Sequence, residues 1–323
     1  MIDLSALIDG LNPRIKIVKS EGVMLPPDID YADSASIMEE DVVKNVEPCQ
    51  TMIFVDSRRR TFGSISVFGY VMLLSQIVTG AVSFKEGKCT TLFSPDRGPE
   101  SRLVLAIPRA LAEMIKLQEK RVKIGRLLCD VAVGNDAKSA LDSYMQQLER
   151  DEVCKHIDNF LTIKDGSIDF ATPSFKVSRG PVGLVKNVQK AFVNLEVFKT
   201  YGSMKKAQRS KCIVTRLDGN ETLLRVMSYL KLVSIPGLKG LVRIETVVEE
   251  DRFEQTKYEI FETFNQLAST LPSLVDDHSL IPRTPEDTLP VIFLERYLDR
   301  YFYNQSYIHC SLVEDLRGKE VIF

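Results

Sequence analysis

The chain has 323 residues, 44% hydrophobic and 27% charged, with a formal net charge of −2. That is enough apolar material for one large domain or two small ones, with no global field announcing nucleic acid, so any such binding must come from local basic patches. Six scattered cysteines without a CxxC pair remove zinc ribbons and thioredoxin-type chemistry, and the lack of a GxxxxGK[ST] stretch removes a P-loop ATPase.

Residues 1–50 carry Pro13, Pro26, Pro27 and Pro48 and the acidic run Glu39–Asp41, and read as an irregular, partly helical lead-in. They hold no secretion signal, so reduced thiols and a cytoplasmic protein are expected. Met52–Val55 is an apolar run that ends on Asp56 and is followed by Ser57, Arg58, Arg59 and Arg60. It reads as a buried strand, and a carboxylate at its end needs a partner: a metal ion, an arginine such as Arg58, or backbone N–H groups. Thr61–Phe84 has no charge at all. That length raises a membrane helix, but the serines, Gln76 and three glycines inside it favour a buried hairpin over 64–84.

A loop over 85–100 precedes a strand at Leu103–Ile107 and a helix from Arg109 to Lys120, with Pro108 at its first turn. Lys123–Val133 reads as one strand containing Asp130. Ala137–Ile157 reads as a long helix with Leu141, Met145, Leu148 and Val153 or Cys154 near one face. Asn159–Ile163 is a strand running into Lys164-Asp165-Gly166-Ser167, a second carboxylate at a strand end before a turn glycine. Pro181–Lys186 is a strand and Asn187–Tyr201 a helix. Residues 203–211 hold the densest basic cluster, Lys205, Lys206, Arg209 and Lys211, which by itself is as well read as a solvated loop. Strands at Lys211–Leu217 and Thr222–Met227 flank an Asp218-Gly219-Asn220 hairpin turn. A strand at Leu241–Val248, a helix at Arg252–Leu267, a proline-rich loop over 270–290, a helical stretch over Pro290–Tyr303 and a polar tail complete the chain. The order is that of a mixed α/β or α+β fold.

Asp56 and Asp165 each end an apolar run, and Glu149 lies on the helix that leads into the second. If the fold brings the three together, their repulsion holds them only around cations, and hard oxygen ligands suit Mg²⁺ or Mn²⁺. The competing reading is three unrelated surface carboxylates.

The order of these short motifs resembles the NurA nuclease family, partners of the HerA DNA translocase. Val55-Asp56-Ser57-Arg58 stands where the family has a V-D-G-S type motif, and the uncharged hairpin follows. Leu148-Glu149 precedes Asp165-Gly166-Ser167, then come Val185-Lys186 and Thr215-Arg216-Leu217-Asp218. The resemblance runs in order from about 51 to 303. The chain departs from the family in lacking the glycine after Asp56 and in placing Glu295 near the family's C-terminal histidine. The longer stretch between Asp56 and Glu149 makes Glu113 and Asp130 competing ligands. His309 is the runner-up to Glu295, with Tyr301 nearby, while His156 and His278 carry no motif.

The resemblance implies a ribonuclease-H-like mixed sheet flanked by helices, with a core over about 51–202 and a C-terminal part over 203–323. It implies Mn²⁺- or Mg²⁺-dependent hydrolysis of DNA by a two-metal mechanism, in end resection or DNA defence, by a ring-shaped homodimer docked on a HerA-type hexameric ATPase. Asp56, Glu149 and Asp165 would hold metal, with Glu295 completing the set. Arg58, Arg59, Lys186, Lys205, Lys206 and Arg209 would contact phosphates, which makes binding salt-sensitive without specifying sequence. The alternatives are a catalytically decayed DNA clamp of the same fold, or another ribonuclease-H-like nuclease such as a resolvase.

Overall fold

The computed structural model describes residues 2–4, 15–18, 30–31, 36–37, 42, 46–94, 96–171, 180–186, 188, 190–275, 286–315 and 321–322. The fold is mixed α/β: one large, mostly antiparallel sheet with helices on both faces. Its principal strands are β1 (Thr51–Val67), β2 (Tyr70–Lys85), β3 (Glu100–Pro108), β4 (Arg121–Ile124), β5 (Leu127–Gly134), β6 (Leu161–Asp165), β7 (Val182–Val185), β8 (Ile213–Leu217), β9 (Asn220–Lys231) and β10 (Leu241–Glu249). The helices are α1 (Arg109–Met114), α2 (Ala137–Cys154), α3 (Leu195–Tyr201), α4 (Glu250–Thr270), α5 (Leu289–Leu298) and α6 (Gln305–Asp315). The strand order is β4-β5-β3-β2-β1-β6-β7-β10-β9-β8. Within it, β3-β2-β1 is an antiparallel meander, and β6 and β7 join it in parallel. Over these five strands the order is β3-β2-β1-β6-β7, with α2 preceding β6 in the chain.

The largest departure from the sequence reading lies at Asp56. The expected short strand and separate hairpin are one hairpin of two long strands, turning at Phe68-Gly69, where φ is +51° and +80°. Asp56 therefore sits inside a strand, paired with Gly80, and not at a strand end. The run of arginines does not end β1, because the uncharged β2 supplies backbone partners along its whole length and side chains alternate between faces. Arg58 turns to one face, towards α5, and Arg59 to the other, towards α2.

Other boundaries moved for local reasons. The expected single strand over 123–133 is the hairpin β4–β5, turning at Gly125 with φ +55°. Helix α1 stops at Met114, and Lys116 adopts φ +51°. The helix expected from Asn187 begins at Leu195, capped by the Asn194 side chain on the Val197 N–H, and the chain before it forms a two-residue strand at Lys190–Ala191. Residues 305–315 are helical where a tail was expected. The described residues of the lead-in form short strands: 2–3 pairs with β4, 15–18 with β1 and 36–37 with β8. The acidic run over 39–41 and His278 lie outside the described residues.

Helix α2 starts at a reciprocal cap: Ser139 N–H donates to Asp136 Oδ1 at 2.8 Å, and Asp136 N–H donates to Ser139 Oγ at 3.1 Å. It packs Ala140, Leu141 and Val153 onto one sheet face. Helices α4 and α5 cover the other face above Met52, Phe54, Ile163 and Leu184. On α5, Val291, Leu294 and Leu298 are fully buried, each contributing about 1.5–3 kcal/mol by leaving water. Among the described residues no helix is long and apolar enough to cross a membrane.

Candidate active site

Parallel pairing of β6 with β1 sets Lys164 beside Val55, so the next residues on each strand, Asp165 and Asp56, are neighbours on one face. Adjacent strands lie about 4.8 Å apart, which is close for two carboxylates. Asp56 is 7% exposed, no donor among the described residues engages its carboxylate, and its oxygens are not among the fully buried polar atoms left without a partner, so they touch solvent. Burial pushes its pKa well above the usual carboxylate range, and Asp165, Glu149 and Glu295 push it the same way against the pull of Lys186. Burial also raises Asp165, opposed by Lys186, whose Nζ lies 2.8 Å from Asp165 Oδ2. Gly166 follows with φ +98°, a conformation that lets β6 turn away directly after the carboxylate.

Lys186 is shared. Its Nζ also lies 3.0 Å from Asp287 Oδ1, and although burial disfavours its charge, the two carboxylates hold its pKa above the ordinary lysine value. Glu295 reaches the same face from α5, 3.2 Å from Arg58 Nη1, and Asp299 holds the other side of that guanidinium at 3.3 Å. Burial works against the Arg58 charge, but the two acids outweigh it and raise the pKa.

Glu149 approaches from the opposite face. It is 3% exposed, and its Oε2 lies 2.7 Å from the buried Nζ of Lys164. Burial raises its pKa, offset in part by Lys164 and by a hydrogen bond with Ser57. Ser57 and Lys164 follow Asp56 and precede Asp165, so they point to the α2 side while the two aspartates point to the α5 side. Thr79 Oγ1, 2.7 Å from Ser57 Oγ, extends this polar group across to β2. Glu149 therefore backs the aspartate pair through the sheet. Among the described residues no three acidic, histidine or cysteine side chains converge in the geometry of a metal site. Two of the carboxylates instead carry lysine ammoniums.

The remaining expected residues are dispersed. Arg59 is held by Asp142 of α2 at 2.5 Å. Arg209, expected on the surface, is 7% exposed and donates from Nε to Asn265 Oδ1 of α4 at 2.7 Å, so it anchors the loop to the core and presents no charge outward. Lys205 is exposed and Lys206 half-buried, on the loop preceding β8, which lies three strands beyond β7. His309 Nε2 contacts the Phe62 carbonyl at 3.0 Å, and Glu113 is exposed on α1. His156 pairs with Glu152 at 3.2 Å. Asp130 lines a separate cleft of about 1050 Å³ beside α2, gripped by Arg121 at 2.7 Å and by the Tyr144 hydroxyl at 2.7 Å.

Sequence reading missed Asp287 and Lys164. A lysine directly after Leu161–Ile163 and before Asp165 on the same strand was the available signal, since a strand buries such a charge only against a partner. Asp287 sits in the proline-rich loop, where nothing local distinguishes it.

No family model matches the chain, and no curated protein matches it. A solved structure, the NurA nuclease from Sulfolobus solfataricus, aligns over 86% of this chain and 86% of that one, with 11% identity and a TM-score of 0.45. At that distance the chemistry has to be read from this chain's own geometry.

Proposed function

We propose that the chain is a metal-dependent nuclease that hydrolyses DNA phosphodiesters at the Asp56–Asp165 pair. The observation that carries this is the pair itself: Asp56, a mostly buried residue whose carboxylate meets no donor among the described residues, beside a second carboxylate, at the centre of a strand order like that of ribonuclease-H-like cores. Such a pair is at its least favourable without a cation, and hard oxygen donors fit Mg²⁺ or Mn²⁺. Asp56 and Asp165 would hold the ion, with Glu295 on the same face. Bound there, it would supply Lewis-acid polarisation of the phosphodiester and a water of lowered pKa.

The protein's own groups would do the rest. Lys186 sits where its ammonium can take charge developing on phosphoryl oxygens, and Arg58 orients Glu295. Lys164 neutralises Glu149 behind the sheet and keeps a third negative charge from adding its full weight to the pair. Action on DNA ends, a homodimer and a HerA-type hexameric ATPase as partner belong to the same reading; their support is the motif order from Asp56 to Glu295.

A second reading has its own observation. Lys186 sits on Asp165, which is how a fold with a lapsed metal site would neutralise that carboxylate, leaving a DNA clamp. Digestion of linear labelled DNA with Mn²⁺, Mg²⁺ or EDTA, for wild type and Asp56→Ala, separates the two. Metal-dependent cutting lost in the variant is expected. Cutting unchanged by the variant removes the site assignment, and no cutting, with or without a HerA-type partner, favours the clamp.

A further inference from the structure

Helix α5 carries three different edges. At about 100° per residue, and continuing through the 3₁₀ turn Asp299–Tyr301, Glu295 and Asp299 fall on the edge facing Arg58. Arg296 and Arg300 fall on the exposed ridge, and the Arg300 guanidinium lies over the Tyr297 ring, 5.1 Å from its centroid. Phe293, Tyr297 and Tyr301 fall on the far edge, with ring centroids 6.1 Å and 6.2 Å apart along the row. Phe93 joins them, 5.5 Å from Tyr297 and 6.1 Å from Tyr301. The row grades outward from Phe93 and Tyr301, packed against the core, to Phe293, which is 37% exposed.

The row adjoins the aspartate pair. Gly80 is the cross-strand partner of Asp56, and a Cβ on Gly80 would stand 3.1 Å from both Phe93 and Leu298. The aromatic edge and the carboxylate edge are thus the two sides of one helix, about 10 Å across, with cations between them. In a base-paired duplex the ring faces are already stacked, so an aromatic row is useful only to unpaired bases, whose stacking is sequence-tolerant.

We propose that Phe293 and Tyr297, supported by Phe93 and Tyr301, form a stacking platform that holds the unpaired bases of a single strand crossing α5, with its phosphates over Arg296 and Arg300, so that the strand is selected over a duplex. The inference rests on the nuclease reading for the purpose of the strand, and on α5 alone for its binding.

The test is fluorescence anisotropy in EDTA, with a labelled oligo-dT of about 20 nucleotides and a blunt duplex of the same length. The proteins are wild type, the double variant Phe293→Ala/Tyr297→Ala and the ring-retaining Phe293→Tyr/Tyr297→Phe. The alanine pair is expected to bind the single strand about tenfold more weakly or worse, with duplex binding changed by less than about twofold and the ring-retaining pair like wild type. Equal single-strand binding by wild type and the alanine pair, a ring-retaining pair as weak as the alanine pair, or a wild type that prefers the duplex each overturns the inference. Cleavage by the same proteins in Mn²⁺ keeps the two readings apart. Ring-dependent binding with no cutting, with or without a HerA-type partner, supports the platform and removes the nuclease, whereas cutting with ring-independent binding removes the platform alone.

Discussion

A mostly buried carboxylate among like charges costs stability unless something offsets them, and Asp56 sits beside Asp165, Glu149 and Glu295 with Lys186 as the opposing charge. Neutralising it is therefore expected to stabilise the metal-free protein while abolishing cutting. Asp56→Asn should raise stability in EDTA by about 1–2 kcal/mol, the usual gain from relieving such a site, measured by urea unfolding. A lower midpoint for the variant would mean that Asp56 has a structural partner and is not held in wait for a cation. Glu152 has the opposite character. Burial disfavours its charge, but hydrogen bonds from His156 and Lys155 prevail and hold its pKa below the ordinary value. A depressed carboxylate gives stability that is present above the unfolded pKa, about 4.3, and is lost as pH falls through the folded value. Glu152→Gln is expected to flatten the acid limb of stability below about pH 4.5 and leave its slope at neutral pH unchanged. An acid limb identical to wild type would refute that assignment.

At the scale of elements, β2 and α5 meet closely at Gly80. Gly80 leaves little room for a side chain, because Leu298 and Phe93 stand 3.1 Å from the place a Cβ would take and would have to give by a few tenths of an ångström. Gly80→Val is expected to lift α5, costing about 1–3 kcal/mol as overpacking does, and to impair cutting more than the stability loss explains, since Glu295 rides on that helix. Full activity with an ordinary melting curve would show that α5 does not set the site. The helices and strands with strong local signals were legible in the residues: α2 from its spacing, the β8–β9 turn from Asp218-Gly219, and Asp165 from the turn glycine that follows it. What was not legible depends on partners distant in the chain. Asp56 looks like a strand end until β2 pairs beyond it. Glu149 looks convergent with the aspartates until the alternation of Ser57 and Lys164 puts it behind the sheet. Arg209 looks like a surface cation until Asn265, 56 residues away, takes its guanidinium. Charge runs and strand ends are local patterns; which face a side chain reaches is set by register.

Across the whole molecule, the sheet joins both ends of the chain to one centre, so a ligand at that centre stabilises everything it connects. The short strand at 15–18 lies on β1 and itself pairs with Val321–Ile322, and the one at 36–37 closes the far edge on β8. A cation that binds the folded Asp56–Asp165 pair and not the unfolded chain raises stability by RT ln(1 + [L]/Kd), about 2.7 kcal/mol at a hundredfold excess. In a chain of this size that is a rise of roughly 5 °C in the melting temperature. Calorimetry with Mn²⁺ is therefore expected to show a concentration-dependent rise in Tm that EDTA reverses, and no rise in Asp56→Asn or Asp165→Asn. Lys186 competes for the same carboxylate, so Lys186→Met should melt lower than wild type in EDTA, because a buried pair has lost one partner, and should gain more from Mn²⁺ than wild type does. A Tm that ignores Mn²⁺ in all four proteins would leave Lys186 as the permanent counterion of Asp165.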